Sequence, residues 1–189
     1  MSGPLGSSQW TYSSGSASAF YDHQIEQSLR IDSQTDYLNS SNFSEGADQK
    51  YTVSCWVKRG DLSRYQVMVE GSAGNWSLVF DAEDNIKLSS HTVTETTGVF
   101  RDTTAWYHIV AQNGPNNGTA AIYVNGENQT LSSNSFNSNS GMFRSGNSLQ
   151  IGQSNSGGYA YNLNGHIAEV YGFSNQTIAP TALGEEKNG

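Results

Sequence analysis

Cysteine occurs once in these 189 residues, at Cys55, so no disulfide can form within the chain and packing must hold the fold. Charge is also scarce: nine Lys and Arg stand against 17 Asp and Glu, giving a net charge of −8 and a pI near 4.8. Phosphate binding needs clustered cations, so nucleic acid is excluded as a partner. The one basic cluster, Lys58, Arg59 and Arg64, lies at a predicted strand end and reads as solvated surface. No apolar run is long enough to span a bilayer. The start MSGPLGSSQW lacks a charged n-region and an apolar h-region, which predicts a chain that folds where it is made or is cut from a larger protein. GPLGS resembles a protease-site scar, although Met1 and Ser2 before it favour a native start.

Marks of catalysis are missing as well. Glycosidases on a sandwich fold carry paired carboxylates on one strand face, and no Glu here is followed two residues later by Asp. Asp81 and Glu83 in FDAED come nearest, but Asp84-Asn85 turns the segment into a hairpin tip between WSLVF and IKLSS. His23, His91, His108 and His166 are too scattered for a metal motif, and His108 within a strand reads as a hydrogen-bonded core residue. Nucleophile elbow, P-loop and dinucleotide fingerprint are absent. Alternation in YTVSCWV puts Tyr51, Val53, Cys55 and Val57 on one face, which makes Cys55 a small buried hydrophobe rather than a nucleophile.

What the chain does have is aromatics in a Ser, Asn and Gly background. Four Trp, ten Tyr and seven Phe are too many for a disordered chain, and low charge with many turn formers predicts an all-β antiparallel sandwich of short strands. Strands are predicted near 25–32, 51–59, 65–70, 76–81, 85–89, 106–112, 119–124, 127–131, 148–152 and 165–173. Within Trp106 to Gly126 two strand-like runs flank the turn formers 113–118, an antiparallel hairpin. Asn125-Gly126 then supplies the two positive-φ residues of a type I′ turn, folding a further strand back through Glu127 to Leu131. Ser132 to Asn147 form a long loop expected to fold over one sheet with Phe136, Met142 and Phe143. Pro180 in APTALGEE is placed for the first turn of a short helix. Residues 1–24 form an N-terminal arm in which Trp10, Tyr12, Phe20 and Tyr21 predict docking; residues 25–189 form one domain.

Three segments resemble laminin-G-like domains of the concanavalin A-like jelly-roll superfamily. WYHIVAQNGPNNGTAAIYVNG matches its central strands and Y-V-N-G turn. SLRIDSQTDYLN followed by YTVSCWVKRG resembles its opening strands, while SLQIGQ and LNGHIAEVYGFSNQTIAPTALGE resemble its closing strands and terminal helical turn. The resemblance implies a two-sheet antiparallel jelly roll with a short C-terminal helical turn, and it says little about activity. W-V-K-R-G, F-R-D-x-x-A-W-Y-H-I-V and the I-A-E-V ending are closest in phrasing to phage virion proteins of that superfamily. That implies a non-enzymatic capsid decoration or fibre component, made in the host cytoplasm without a signal peptide and displayed on the virion surface. Its partners would be other virion proteins through the arm, host-surface glycans, and in a homo-oligomer its own copies. The other reading is a glycan-binding or adhesion module of a larger secreted protein.

Sugar-binding sandwiches stack pyranose faces on exposed aromatics beside polar loops. Tyr65, Trp76, Tyr159 and Tyr161 are the candidates, with Tyr159 and Tyr161 side by side after Gly157-Gly158. Trp76 has a competing role in the core, since it starts the W-x-L-x-F face with Leu78 and Phe80. Members of the fold often hold Ca²⁺, and Asp32 and Asp36 lie nearest the matching region. No D-x-D cluster accompanies them, so no cofactor or metal is assigned.

Overall fold

Strict alternation sorts the side chains before any strand is paired. In the segment Tyr51–Arg59, Tyr51, Val53, Cys55 and Val57 enter the core while Thr52, Ser54 and Trp56 take the opposite face. The computed structural model describes residues 25–43, 50–71, 76–90, 92–114, 119–134, 142–143, 145–154 and 161–183. Their strands are β1 (Leu29–Ile31), β2 (Leu38–Asn39), β3 (Tyr51–Arg59), β4 (Gln66–Gly71), β5 (Trp76–Phe80), β6 (Ile86–Ser90) and β7 (Thr92–Thr96). There follow β8 (Tyr107–Asn113), β9 (Ala120–Val124), β10 (Glu127–Asn128), β11 (Leu131–Asn134), β12 (Leu149–Ile151) and β13 (Gly165–Ser174).

Two sheets form the expected all-β sandwich, a six-stranded one in the order β1-β13-β3-β8-β9-β10 and a seven-stranded one in the order β11-β7-β6-β5-β4-β12-β2. Their ladders are antiparallel. Between them Tyr51, Val53, Cys55, Val57, Ile109 and Ile122 of one sheet meet Met68, Trp76, Leu78, Phe80, Ile86 and Leu88 of the other. Burial pushes the Cys55 thiol up to about 12, so it is protonated and unreactive at neutral pH.

The Asn125-Gly126 turn has both residues at positive φ, 50° and 81°, as expected. The strand after it departs from expectation. It breaks into β10, which pairs β9, and β11, which has crossed to the other sheet and pairs β7. β7 itself is absent from the sequence reading because its pattern is inverted: Thr94 and Thr96 point inward and are buried, while Val93 is exposed. The buried hydroxyl of Thr96 is satisfied locally, donating to Gly98 O (3.0 Å) and accepting from Ile86 N (3.1 Å). β2 was likewise not anticipated, and β1 is shorter than 25–32.

Met142 and Phe143 do not lie over a sheet but plug the interior, Phe143 meeting the rings of Tyr51 (6.1 Å) and Phe43 (5.5 Å) edge-on. Gly172 makes room for that ring, since a Cβ there would sit 2.4 Å from it. Phe136 lies outside the described residues. Pro180 opens a three-residue 3-10 turn, Pro180–Ala182, the short C-terminal helical turn expected.

Arg59 also corrects the reading of a solvated basic cluster. Its guanidinium is buried, stacks 4.3 Å over the Phe80 ring, and donates to Asp84 Oδ1 (2.9 Å) and Phe100 O (2.6 Å). Asp84 takes Arg101 Nε at 2.7 Å on its other oxygen.

Candidate functional site

The outer face of the seven-stranded sheet gathers polar and aromatic side chains at the β5–β6 turn end. Alternation in β6 directs Lys87 outward, and the register sets it beside Glu95 of β7. Its ammonium lies 2.7 Å from Asp81 Oδ2 and 3.5 Å from Glu95 Oε2. Desolvation alone would lower the Lys87 pKa, but the hydrogen bond to Asp81 and the charges of Asp81 and Glu95 outweigh it and hold the pKa above its ordinary value. Lys87 therefore stays charged and fixed.

Tyr65 enters from the residue before β4, with 39% of its surface exposed, and Lys87 Nζ sits 5.7 Å from its ring centroid. Tyr161 arrives from far along the chain. Val67 N donates to Tyr161 O at 2.9 Å, a parallel bridge joins Val67 to Asn162, and the segment thereby lies against the start of β4. The Tyr65 and Tyr161 rings end 5.4 Å apart, tilted by 46°. Arg64 ties the same corner together, donating to Asn162 O (3.3 Å) and pairing with Asp61 (3.3 Å).

The arrangement offers an exposed ring face for stacking, bordered by fixed donors and acceptors. Proton-transfer chemistry is a poor match. Asp81 is committed to its own turn, accepting from Glu83 N (3.0 Å) and Asn85 N (2.8 Å) as well as holding Lys87, and Glu83 is exposed beside it. This is the hairpin tip read from FDAED.

Other sequence candidates fall elsewhere. Trp76 is corrected: only 2% exposed, it packs edge-on against Tyr51 at 5.4 Å inside the core, and a ring without a solvent face cannot stack on a sugar. Tyr159, and Trp10, Tyr12, Phe20 and Tyr21 of the arm, lie outside the described residues. Asp32 and Asp36 sit in the loop after β1, where Asp32 pairs with Arg30 (3.0 Å) and Asp36 accepts weakly from Asp32 N (3.4 Å). Among the described residues no group of three or more His, Cys, Asp or Glu is placed to hold a metal. His108 is buried as expected, with Nε2 2.8 Å from Ser54 Oγ.

Lys87 and Glu95 were not among the sequence candidates. Alternation in IKLSS does turn Lys87 outward, but its partner Glu95 sits on the inverted strand β7, which carries no apolar-in signal.

A concavity of about 400 Å³ opens between the sheets, away from this corner, and is lined by Phe43, Phe143, Leu149, Ile151 and Val170, with Ser40 and Ser174.

The sequence profile of a family described as the concanavalin A-like lectin/glucanases superfamily, Laminin_G_3, matches residues 32–177. No curated protein matches by sequence. Among solved structures, domain 4 of an extracellular arabinanase from Geobacillus stearothermophilus, in complex with arabinotriose, superposes with a TM-score of 0.59 at 16% identity, over 81% of this chain and 73% of that one. A heptameric pentraxin from Limulus polyphemus gives 0.57 at 16% identity, over 77% and 73%. A Ruminococcus gnavus sialidase carbohydrate-binding module bound to α2,3-sialyllactose gives 0.51 at 13%, over 77% and 90%. At these identities the likeness is one of fold.

Proposed function

The chain belongs to the concanavalin A-like lectin/glucanase superfamily, and on that premise we propose that it is a non-catalytic glycan-binding domain. The observation that carries this reading is the convergence of Tyr65 and Tyr161, distant in sequence, into one ring pair beside a fixed Lys87. Rings bordered by charge-held donors suit a pyranose face and its hydroxyls. Two cations stand there, Lys87 and Arg64, against the three carboxylates of Asp81, Glu95 and Asp61. The local surplus of negative charge, on a chain of net charge −8, favours neutral over acidic glycans.

Replacing Tyr65 by Ala should weaken binding to a neutral oligosaccharide about tenfold, near 1.4 kcal/mol, and shift unfolding by less than about 1 kcal/mol because the residue is half exposed. Calorimetric titration and urea melts of the same samples test both halves. Unchanged affinity would move the site away from this corner.

The same geometry predicts that no common polysaccharide is turned over, because Asp81 is held by its turn and by Lys87. Turnover abolished by Asp81→Asn or Glu83→Gln in a folded variant would overturn this.

For the setting we propose display on a bacteriophage particle, supported by the wording of WVKRG and FRDTTAWYHIV. Arg59 and Arg101 of those segments both bind Asp84, so part of that wording serves the fold itself. The alternative, a module of a larger secreted protein, is favoured by the similarity to one domain of an arabinanase. Mass spectrometry of purified particles should find this chain as a separate virion protein; peptides joining it to a longer polypeptide would support the module.

A further inference from the structure

The space between the sheets is not filled to its end. A cavity of about 400 Å³ remains there, walled by Leu149 and Ile151 of β12, Val170 of β13, and the rings of Phe43 and Phe143. Close-packed interiors leave few voids larger than one water molecule, so a space of this size is more than a packing defect. Two features of β13 open it. β1 pairs with β13 from Gly165 to Ile167, and among the described residues no strand flanks β13 on that side beyond Ile167. A bulge follows. Ala168 pairs with Trp56 and Tyr171 with Ser54, which sets Glu169 and Val170 together opposite Cys55. Glu169 absorbs the extra residue with a φ of 49°, and Val170 packs inward against the core. On the facing sheet, Leu38 is the cross-strand partner of Ile151 and shares its face, yet 52% of its surface is exposed. The apolar wall therefore runs from the cavity out to solvent.

We propose that this cavity binds one alkyl chain of an amphiphile whose head is uncharged and bears a hydroxyl. Its volume lies within the usual range of small-molecule sites, about 300–1,000 Å³, and is too small for a helix, which is about 10 Å across with its side chains. The wall selects a chain. Branched aliphatics and two rings offer dispersion contacts and no hydrogen bonds, and the exposed Leu38 extends that surface outward, where a flexible chain can follow it. The polar part of the lining selects the head. Ser40 and Ser174 are its polar side chains, and no Lys, Arg or His stands among the lining residues, so a carboxylate or phosphate would be desolvated without a counter-charge. Ser40 Oγ accepts from Leu149 N at 2.8 Å, which fixes that hydroxyl on the wall and leaves its hydrogen to donate. The cavity is independent of the glycan corner, because neither Tyr65, Tyr161 nor Lys87 lines it.

The experiment uses the whole chain with n-decanol as the probe and decanoate as its charged counterpart. The methyl signals of Leu149, Ile151 and Val170 should shift saturably as one decanol binds per chain, and decanoate at neutral pH should bind about tenfold more weakly. Methyl signals that do not move overturn the proposal, and so does movement confined to the rings of Tyr65 and Tyr161. Equal affinity for decanoate overturns the uncharged head. Val170→Phe fills the cavity from the strand that opens it, and it should weaken decanol binding by about tenfold or more while leaving the Tyr65 and Tyr161 ring signals in place. Unchanged decanol affinity in that folded variant overturns the proposal. If Val170→Phe does not fold, Ser174→Leu, which narrows the same space from a partly exposed position, decides by the same measurement.

Discussion

Replacing Asp84 by Ala should cost about 3–5 kcal/mol, because it leaves the Arg59 guanidinium buried without a counter-charge. Arg59 has few ways to relax. Both partners are almost fully buried, Arg59 lies over Phe80, and Asp84 Oδ1 also accepts from Ser63 N at 2.8 Å. Asp84 itself holds a positive φ of 70°, so its side chain and its turn are fixed together. Urea unfolding of the variant against the parent gives the number. Arg101→Ala should cost under about 1 kcal/mol, since that arginine is 58% exposed and screened by water. Arg59→Met combined with Asp84→Ala should be less damaging than Asp84→Ala alone, because the unpaired charge has gone. Equal losses in the two would place the cost in the turn rather than in the ion pair.

The same carboxylate predicts an acid limit. Desolvation pushes the Asp84 pKa up, but hydrogen bonds from Arg101, Ser63 and Arg59 together hold it below the ordinary aspartate value. A folded-state pKa below the unfolded one contributes stability that is complete above the unfolded value, about 3.9. That contribution is lost as pH falls through the folded value. Stability should therefore fall below about pH 4 through this group, and the Asp84→Ala variant should show a flatter acid limb.

Gly165→Ala is expected to be comparably severe, at roughly 3 kcal/mol or more. Gly165 opens β13 with φ of 151°, and a Cβ there would stand 2.1 Å from the Lys58 carbonyl oxygen. The obstacle is backbone, so rotating a side chain cannot relieve it. Gly165 pairs directly with Arg59, and parting the strands at that point also draws Arg59 away from Asp84. Domains have about 5–15 kcal/mol of stability in all, so the variant should show a large drop in denaturation midpoint and poor soluble yield. A midpoint within experimental scatter of the parent would mean that β3 and β13 can separate here at little cost.

Residues that report only on their own strand were legible from the chain. Alternation in YTVSCWV and WSLVF assigned Cys55 to the core and gave Trp76 its W-x-L-x-F alternative, because a strand's two-residue period decides which face a side chain takes without reference to any partner. Asn125-Gly126 and the FDAED tip were equally local, being matters of backbone φ and near-neighbour hydrogen bonds. Tertiary pairing alone decided what those faces meet. Tyr65 and Tyr161 were named separately, and only the bridge from Val67 to Asn162 brought their rings together. Lys58-Arg59 looked like solvated surface because the partner that buries Arg59, Asp84, stands 25 residues further along the chain, in the turn of the other sheet. β7 stayed hidden because its inward positions are threonines rather than apolar residues, and hydrogen bonds with Ile86 N and Gly98 O satisfy the buried Thr96 hydroxyl. A single chain displays its own periodicity, whereas the ion pairs and ring contacts that make a site depend on which distant strands become neighbours.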